Sequence, residues 1–163
     1  MQIRIRETGA VMYESELRSY LQANDGPSFD QLTPEVMEAI GVDPVLEGPQ
    51  ATGGDHYQFS QRDGVEQVDG KWYTKYILGP VFTDGETTAA EQEAAYKAAK
   101  DAEQAKSVRT TRDEKLKATD WTQVSDAPVD KTVWATYRQA LRDLPSATGF
   151  PWDMAWPTEP TGA

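Results

Sequence analysis

A chain of 163 residues with 16 basic and 27 acidic side chains has a formal net charge of −11, and it has no cysteine. These totals exclude disulfides and thiolate metal sites, and they argue against nucleic acid as the main partner, because phosphate contacts need clustered Lys and Arg. A hydrophobic share of 38% allows a modest core, in one ordinary domain or two small ones joined by a linker.

The acidity is uneven. Residues 1–88 carry 6 basic and 15 acidic groups, residues 89–118 carry 7 and 6, and residues 119–163 carry 3 and 6. The N-terminal excess favours solubility and can steer a basic partner. Gln2 to Arg6 alternates polar and β-branched residues, the pattern of a strand with Ile3 and Ile5 on one face. No apolar stretch follows it, which speaks against a secretory signal. No apolar run in the chain approaches the roughly 20 residues that span a bilayer.

Glu14 to Ala23 reads as a helix, with Leu17, Tyr20 and Leu21 at three-and-four spacing, closed by Asn24-Asp25-Gly26-Pro27. A second short helix is marked by Thr33 as N-cap, Pro34 at its first position and Gly41 at its end. Asp43 to Leu46 follows as an extended segment, since a residue before Pro avoids the α region. Two Asp-Gly pairs, Asp63-Gly64 and Asp69-Gly70, predict a meander of three strands at 56–61, 65–68 and 71–78. The last, Lys71 to Leu78, is the strongest by aromatic and β-branched content. The two helices are the expected cover for its aromatic face.

Thr83 to Thr88 reads as a hinge, and Thr88 with Glu91 fits a capping box. From Ala89 to about Ala118 there is neither Gly nor Pro, so one helix of about 45 Å is expected. Its apolar seam, Ala95, Ala98, Ala102 and Ala105, is thin, and the helix reads mainly as a solvated spacer. Asp130 to Leu144 is a short helix capped by Asp130 and stopped by Pro145. Val133, Trp134, Tyr137, Ala140, Leu141 and Leu144 form one apolar stripe, and Arg138 and Arg142 are assigned to another face. Trp-bearing, Pro-rich segments, 121–128 and 150–160, flank it. A helix this short cannot enclose four indoles, so Trp121 and Trp134 are expected inside and Trp152 and Trp156 available to a partner. The segment Phe150 to Pro157 could also add to the edge of a partner's sheet.

Catalytic and metal chemistry finds little support. His56 is the single histidine, without the further His or Cys ligands that a metal would want and without a nucleophile elbow at Ser60. Asp55, Asp63, Glu66 and Asp69 lack the ordered spacing of a calcium loop, and Gly53-Gly54 does not continue into a phosphate loop. A glycan hydrolase would need two carboxylates roughly 5–10 Å apart in a cleft, and nothing in the spacing suggests them. No cofactor is expected.

The C-terminal residues also carry a resemblance. The order Arg112-Asp113, Leu116, Thr119-Asp120-Trp121-Thr122-Gln123, Asp126-Ala127-Pro128, Trp134, Tyr137-Arg138-Gln139-Ala140-Leu141-Arg142-Asp143-Leu144-Pro145, Phe150-Pro151-Trp152 and Trp156-Pro157 resembles the C-terminal module of phage tail assembly chaperones, a group that includes tail-fibre assembly proteins. It covers about residues 109–160. Less specifically, Val42 to Pro49 and Asp63 to Tyr76 are similar to segments that precede this module in some phage proteins. The resemblance implies a non-enzymatic bacteriophage protein that binds a tail-fibre or tail subunit and assists its folding, trimerisation or attachment. It would act in the host cytoplasm during assembly and could oligomerise on a trimeric fibre; neither nucleic acid nor membrane is an expected partner. Such a factor can also stay bound in the virion tail. The alternative is a permanent structural or adhesin subunit at the fibre tip with no chaperone role.

The expected architecture is α+β. A small N-terminal antiparallel sheet with short helices occupies 1–82, a hinge and long linking helix 83–118, and a small Trp-rich helical module 119–163. The residues expected to meet a partner are Trp72 and Tyr76 on the sheet, and Trp134, Tyr137, Arg138, Arg142, Trp152 and Trp156 in the Trp-rich end.

Overall fold

The computed structural model describes residues 1–161. The chain divides into two compact units, Met1–Val81 and Phe82–Ala163, and the architecture is α+β.

The first unit is a five-stranded sheet with two short helices. Its strands are β1 (Gln2–Ile5), β2 (Val11–Tyr13), β3 (Val42–Leu46), β4 (Phe59–Val68) and β5 (Lys71–Gly79), in the order β2-β1-β3-β5-β4. Strand β1 pairs antiparallel with both β2 and β3, and β4 pairs antiparallel with β5. The β3–β5 pair is parallel, so the sheet is mixed. Helices α1 (Glu14–Ala23) and α2 (Pro34–Ile40) occupy the ranges their sequence signals predict. Thr33 Oγ1 accepts from Val36 N–H at the start of α2, and Gly41 closes it in the left-handed conformation at φ 69°.

The core of this unit joins Ile3, Ile5 and Val42 to Leu17, with Tyr20, Leu21, Met37 and Ile40 packed around them. The helices therefore cover the isoleucine face of the sheet. Trp72 and Tyr76 lie on the other face, because Trp72 is in register with Val45 and Ile3 and Ile5 alternate away from Arg4. This corrects the expectation of helix cover for Trp72 and Tyr76; Tyr73 alternates to the isoleucine face.

The expected three-strand meander is a two-strand hairpin. Asp63-Gly64 lies inside β4, between Arg62 paired with Tyr76 and Val65 paired with Thr74, so two residues oppose Lys75 alone. That is a β-bulge, with Gly64 at φ 80° taking up the extra residue. Lys75 Nζ holds it by donating to Asp63 Oδ2 at 2.7 Å. Asp69-Gly70 does turn the chain, with φ 48° and 76°, the two positive values of a type I′ hairpin.

The second unit contains α3 (Ala89–Ala118), a 3-10 turn at Asp120–Gln123, α4 (Lys131–Asp143) and a second 3-10 turn at Leu144–Ser146. The capping box forms, with Thr88 N–H donating to Glu91 Oε2 and Glu91 N–H to Thr88 Oγ1. Along α3 only Ala105 and Val108 are buried. The exposed Ala95, Ala98 and Ala102 show that the N-terminal half contributes almost no core. Near its start, the rings of Phe82 and Tyr96 pack at a tilt of 55° with centroids 5.6 Å apart. The main cluster of this unit is Trp134, Tyr137 and Leu141 from α4, with Leu116 and Val129 against it.

Candidate functional site

Helix α4 begins where Asp130 accepts hydrogen bonds from Thr132 N–H and Val133 N–H. Residues 134, 137, 138 and 141 are spaced i, i+3, i+4 and i+7, so they share one side of the helix. That side is buried, and Arg138 goes inside with the apolar stripe. Trp134, Tyr137 and Arg138 are only 6%, 4% and 6% exposed. This corrects their assignment as partner contacts, since their side chains have almost no free surface. Arg142 is exposed, as a contact residue must be.

Buried, the Arg138 guanidinium acts as a clamp. Nη1 donates to the Leu116 carbonyl at 2.6 Å and to Thr119 Oγ1 at 2.7 Å, and Nη2 donates to Asp120 Oδ1 at 2.7 Å. Thr122 Oγ1 donates to the Thr119 carbonyl at 2.7 Å. The last turn of α3 and the 3-10 turn after it are thereby tied to α4, which fixes the direction in which Trp121 points. Trp121 lies 6.1 Å from Trp134, centroid to centroid, yet it is 52% exposed. The expectation that Trp121 is interior is therefore corrected. The turn directs its indole outward, and Trp134 covers only one side.

The Trp-rich end folds onto α3. Gly149, at φ 84°, accepts from Trp152 N–H at 2.9 Å and from Asp153 N–H at 2.7 Å, closing a tight turn. Trp152 Nε1 donates to Asp101 Oδ1 at 2.6 Å, and Arg109 lies 5.3 Å from the Phe150 ring centroid. Trp152 is half-buried. Trp156, at 36%, is less exposed than Trp121, and Lys115 Nζ sits 5.9 Å from its ring. Val108, Thr111, Lys115, Trp152, Met154 and Trp156 line a groove of about 550 Å³. A second groove, of about 570 Å³, runs between Thr132, Val133 and Thr136 of α4 and Pro157 and Glu159 of the tail. Burial, and then the nearby Glu159 carboxylate, raise the Tyr137 hydroxyl above its ordinary value. That hydroxyl and Arg138 Nε have no hydrogen-bond partner.

On the sheet, Trp72 and Tyr76 are both half-buried. The Arg4 guanidinium covers Trp72 at 4.0 Å from its centroid, and Tyr76 Oη donates to Glu47 Oε1 at 2.5 Å. The predicted contact residues thus fall into two sets, one in each unit. Sequence reasoning missed Trp121 as a surface residue; its position in Asp120-Trp121-Thr122, directly after a helix end, was the available signal.

The described residues contain no group of three or more His, Asp or Glu placed to hold a metal ion, and no helix long and apolar enough to cross a membrane. His56 is exposed. Hydrogen bonds lower Glu35, Glu38 and Glu91 below the ordinary carboxylate value, the opposite of what general acid work requires.

What the fold and these surfaces define is an α+β protein with an indole-bearing helical unit. Residues 105–161 of that unit match the phage tail assembly chaperone protein family, which supports a role in phage tail assembly. No curated protein and no solved structure matches the chain.

Proposed function

We propose that this protein is a non-enzymatic assembly factor that binds a tail-fibre or tail subunit in the host cytoplasm and assists its folding, trimerisation or attachment. The observation that carries this reading is the family match at residues 105–161, which falls on the unit whose indoles reach the surface. Half-exposed Trp side chains suit protein contact, because Trp and Arg dominate the residues that contribute most to interfaces. Trp152, Trp156 and Arg142 are the proposed contacts in this unit, and the half-buried Trp72 and Tyr76 those on the sheet face opposite the helices.

The test is co-expression with candidate tail-fibre and tail subunits of the same phage. More soluble, trimeric subunit in the presence of this protein is the expected result. Unchanged solubility and trimer content would refute the chaperone reading. Stoichiometric presence in purified particles, with soluble fibre made in its absence, would assign it to the virion as a structural subunit.

A further inference from the structure

We infer that the groove between α3 and the Trp-rich tail receives an acidic segment of the assembly client, with an apolar side chain seated between the indoles and an Asp or Glu carboxylate on Lys115. The inference rests on the assembly reading above and gives its indole contacts a place and a chemistry.

One wall of the groove is α3. Gln104, Val108, Thr111 and Lys115 follow at intervals of three and four, so they share one side of the helix over about 16 Å. That length fits about five residues of extended chain. The other wall is the tail, where the alternate residues Trp152, Met154 and Trp156 all face the groove. The tail is tied in place by Trp152 Nε1, which donates to Asp101 Oδ1 at 2.6 Å, and by Gln104 Nε2, which donates to the Pro151 carbonyl at 3.5 Å. Trp156 is still 36% exposed, and Trp152 and Met154 keep part of their surface. An unbranched Met lets such a wall adapt to different apolar anchors, and indoles lead the residues that gain from being covered by a partner. On the helix wall, Thr110 returns its hydroxyl to the Lys106 carbonyl at 3.0 Å. The Ser107 and Thr111 hydroxyls, which line the groove, make no such bond among the described residues, and they suit the backbone of an extended segment.

Charge selects the occupant. Lys115 is the single charged residue in the lining, and its ammonium, 5.9 Å from the Trp156 ring, pairs with no carboxylate among the described residues. The acids nearest in the fold are engaged: Asp101 by Trp152, Glu103 by Lys100, Asp113 by Arg112, and Asp153 likewise. Glu159 lines the other groove, against α4. Glu114 lies about 100° round the helix from Lys115, on the flank. Residues 105–118 of α3 carry five basic groups, Lys106, Arg109, Arg112, Lys115 and Lys117, against the two acids Asp113 and Glu114. The groove thus runs along a locally positive stretch of an acidic protein. It attracts a carboxylate and repels a basic segment. A second copy is opposed by the net charge of −11 on each chain.

The experiment titrates the full chain against candidate tail-fibre and tail subunits of the same phage, with melting temperatures to confirm that each variant is folded. Thr111→Trp fills the groove from an exposed position, and Lys115→Gln and Lys115→Glu remove and reverse its charge. The expected result is a loss of about thirtyfold for Thr111→Trp, about threefold for Lys115→Gln and about tenfold for Lys115→Glu. Changing the client's own Asp or Glu to Lys should then restore binding to Lys115→Glu. Subunit binding that Thr111→Trp and both Lys115 variants leave unchanged would overturn the groove and leave the assembly reading standing. Tighter binding by Lys115→Glu would show a basic occupant and overturn the acidic one. Absence of wild-type binding to every candidate would overturn both readings. Sedimentation showing a wild-type dimer that Thr111→Trp converts to monomer would assign the groove to a second copy and overturn the client.

Discussion

Arg138 donates to Asp120 at 2.7 Å from a site where its own side chain is 8% exposed and its partner's 65%. The two halves of the pair therefore respond differently to removal. Arg138→Met strips the Thr119 hydroxyl and the Leu116 carbonyl of a donor and should cost about 2–4 kcal/mol. Asp120→Asn, on the wet side, should cost less than about 1 kcal/mol. Urea titration followed by Trp fluorescence measures both, and equal losses would show that the clamp is not asymmetric.

In the first unit, the buried Gly48 N–H donates to Thr74 Oγ1 at 2.7 Å. Thr74→Val keeps the shape and removes the acceptor, which should destabilise by about 1–3 kcal/mol. At Gly48 a Cβ would collide with the Thr74 carbonyl oxygen, so Gly48→Ala should cost more than Thr74→Val. Thermal melts of the two variants give the order directly.

Caps should differ in how far their loss is felt. Asp130→Ala should lower global stability by about 1 kcal/mol, because α4 carries the core cluster of its unit. Thr88→Ala removes a comparable cap from a stretch of α3 with almost no buried side chains. Its effect should appear as faster amide exchange in the first turns of α3, with little change in the melting temperature.

Particular groups in each unit should respond at particular ends of the pH scale. Glu38 is lowered by the hydrogen bond from Arg6, and Glu35 by its own backbone N–H and then Thr33. A lowered carboxylate contributes stability that is complete above its ordinary value of 4.5 and is lost as pH falls through the folded value. Tyr137 is raised, so its contribution is complete below its ordinary 10.0 and is lost as pH rises through the folded value. Residue-resolved hydrogen exchange should show loosening in acid around Arg6–Glu38 and α2, and in alkali around Tyr137 in α4. Tyr137→Phe should abolish the alkaline limb and cost little at neutral pH, since the hydroxyl has no partner to lose.

Local signals were sufficient for the helices. Thr33-Pro34 with Gly41, Thr88 with Glu91, and Asp130 each act within four residues of where they stand, so the ends of α2, α3 and α4 are legible before any tertiary contact forms. The Asp-Gly pairs were not decisive, because positive φ serves a bulge as well as a turn; only the register of β4 against β5 separates Gly64 from Gly70. The same limit governed the indoles. Arg138 satisfies the helical stripe as well as Trp134 does, and a charge gives no local sign that three acceptors await it on the end of α3 and the turn beyond. Trp152 could not be placed from sequence either, since Asp101 lies 51 residues away.

The recognisable family sequence and the folding unit have different beginnings. The match starts at residue 105, midway along α3, whereas the helix is nucleated at Thr88 and lends Asp101 and Gln104 to the tail at Trp152 and Pro151. A fragment cut to the family's boundary would open on uncapped helix and leave that indole without its carboxylate. An excised domain intended to behave like the intact one has to begin upstream, at or before residue 82.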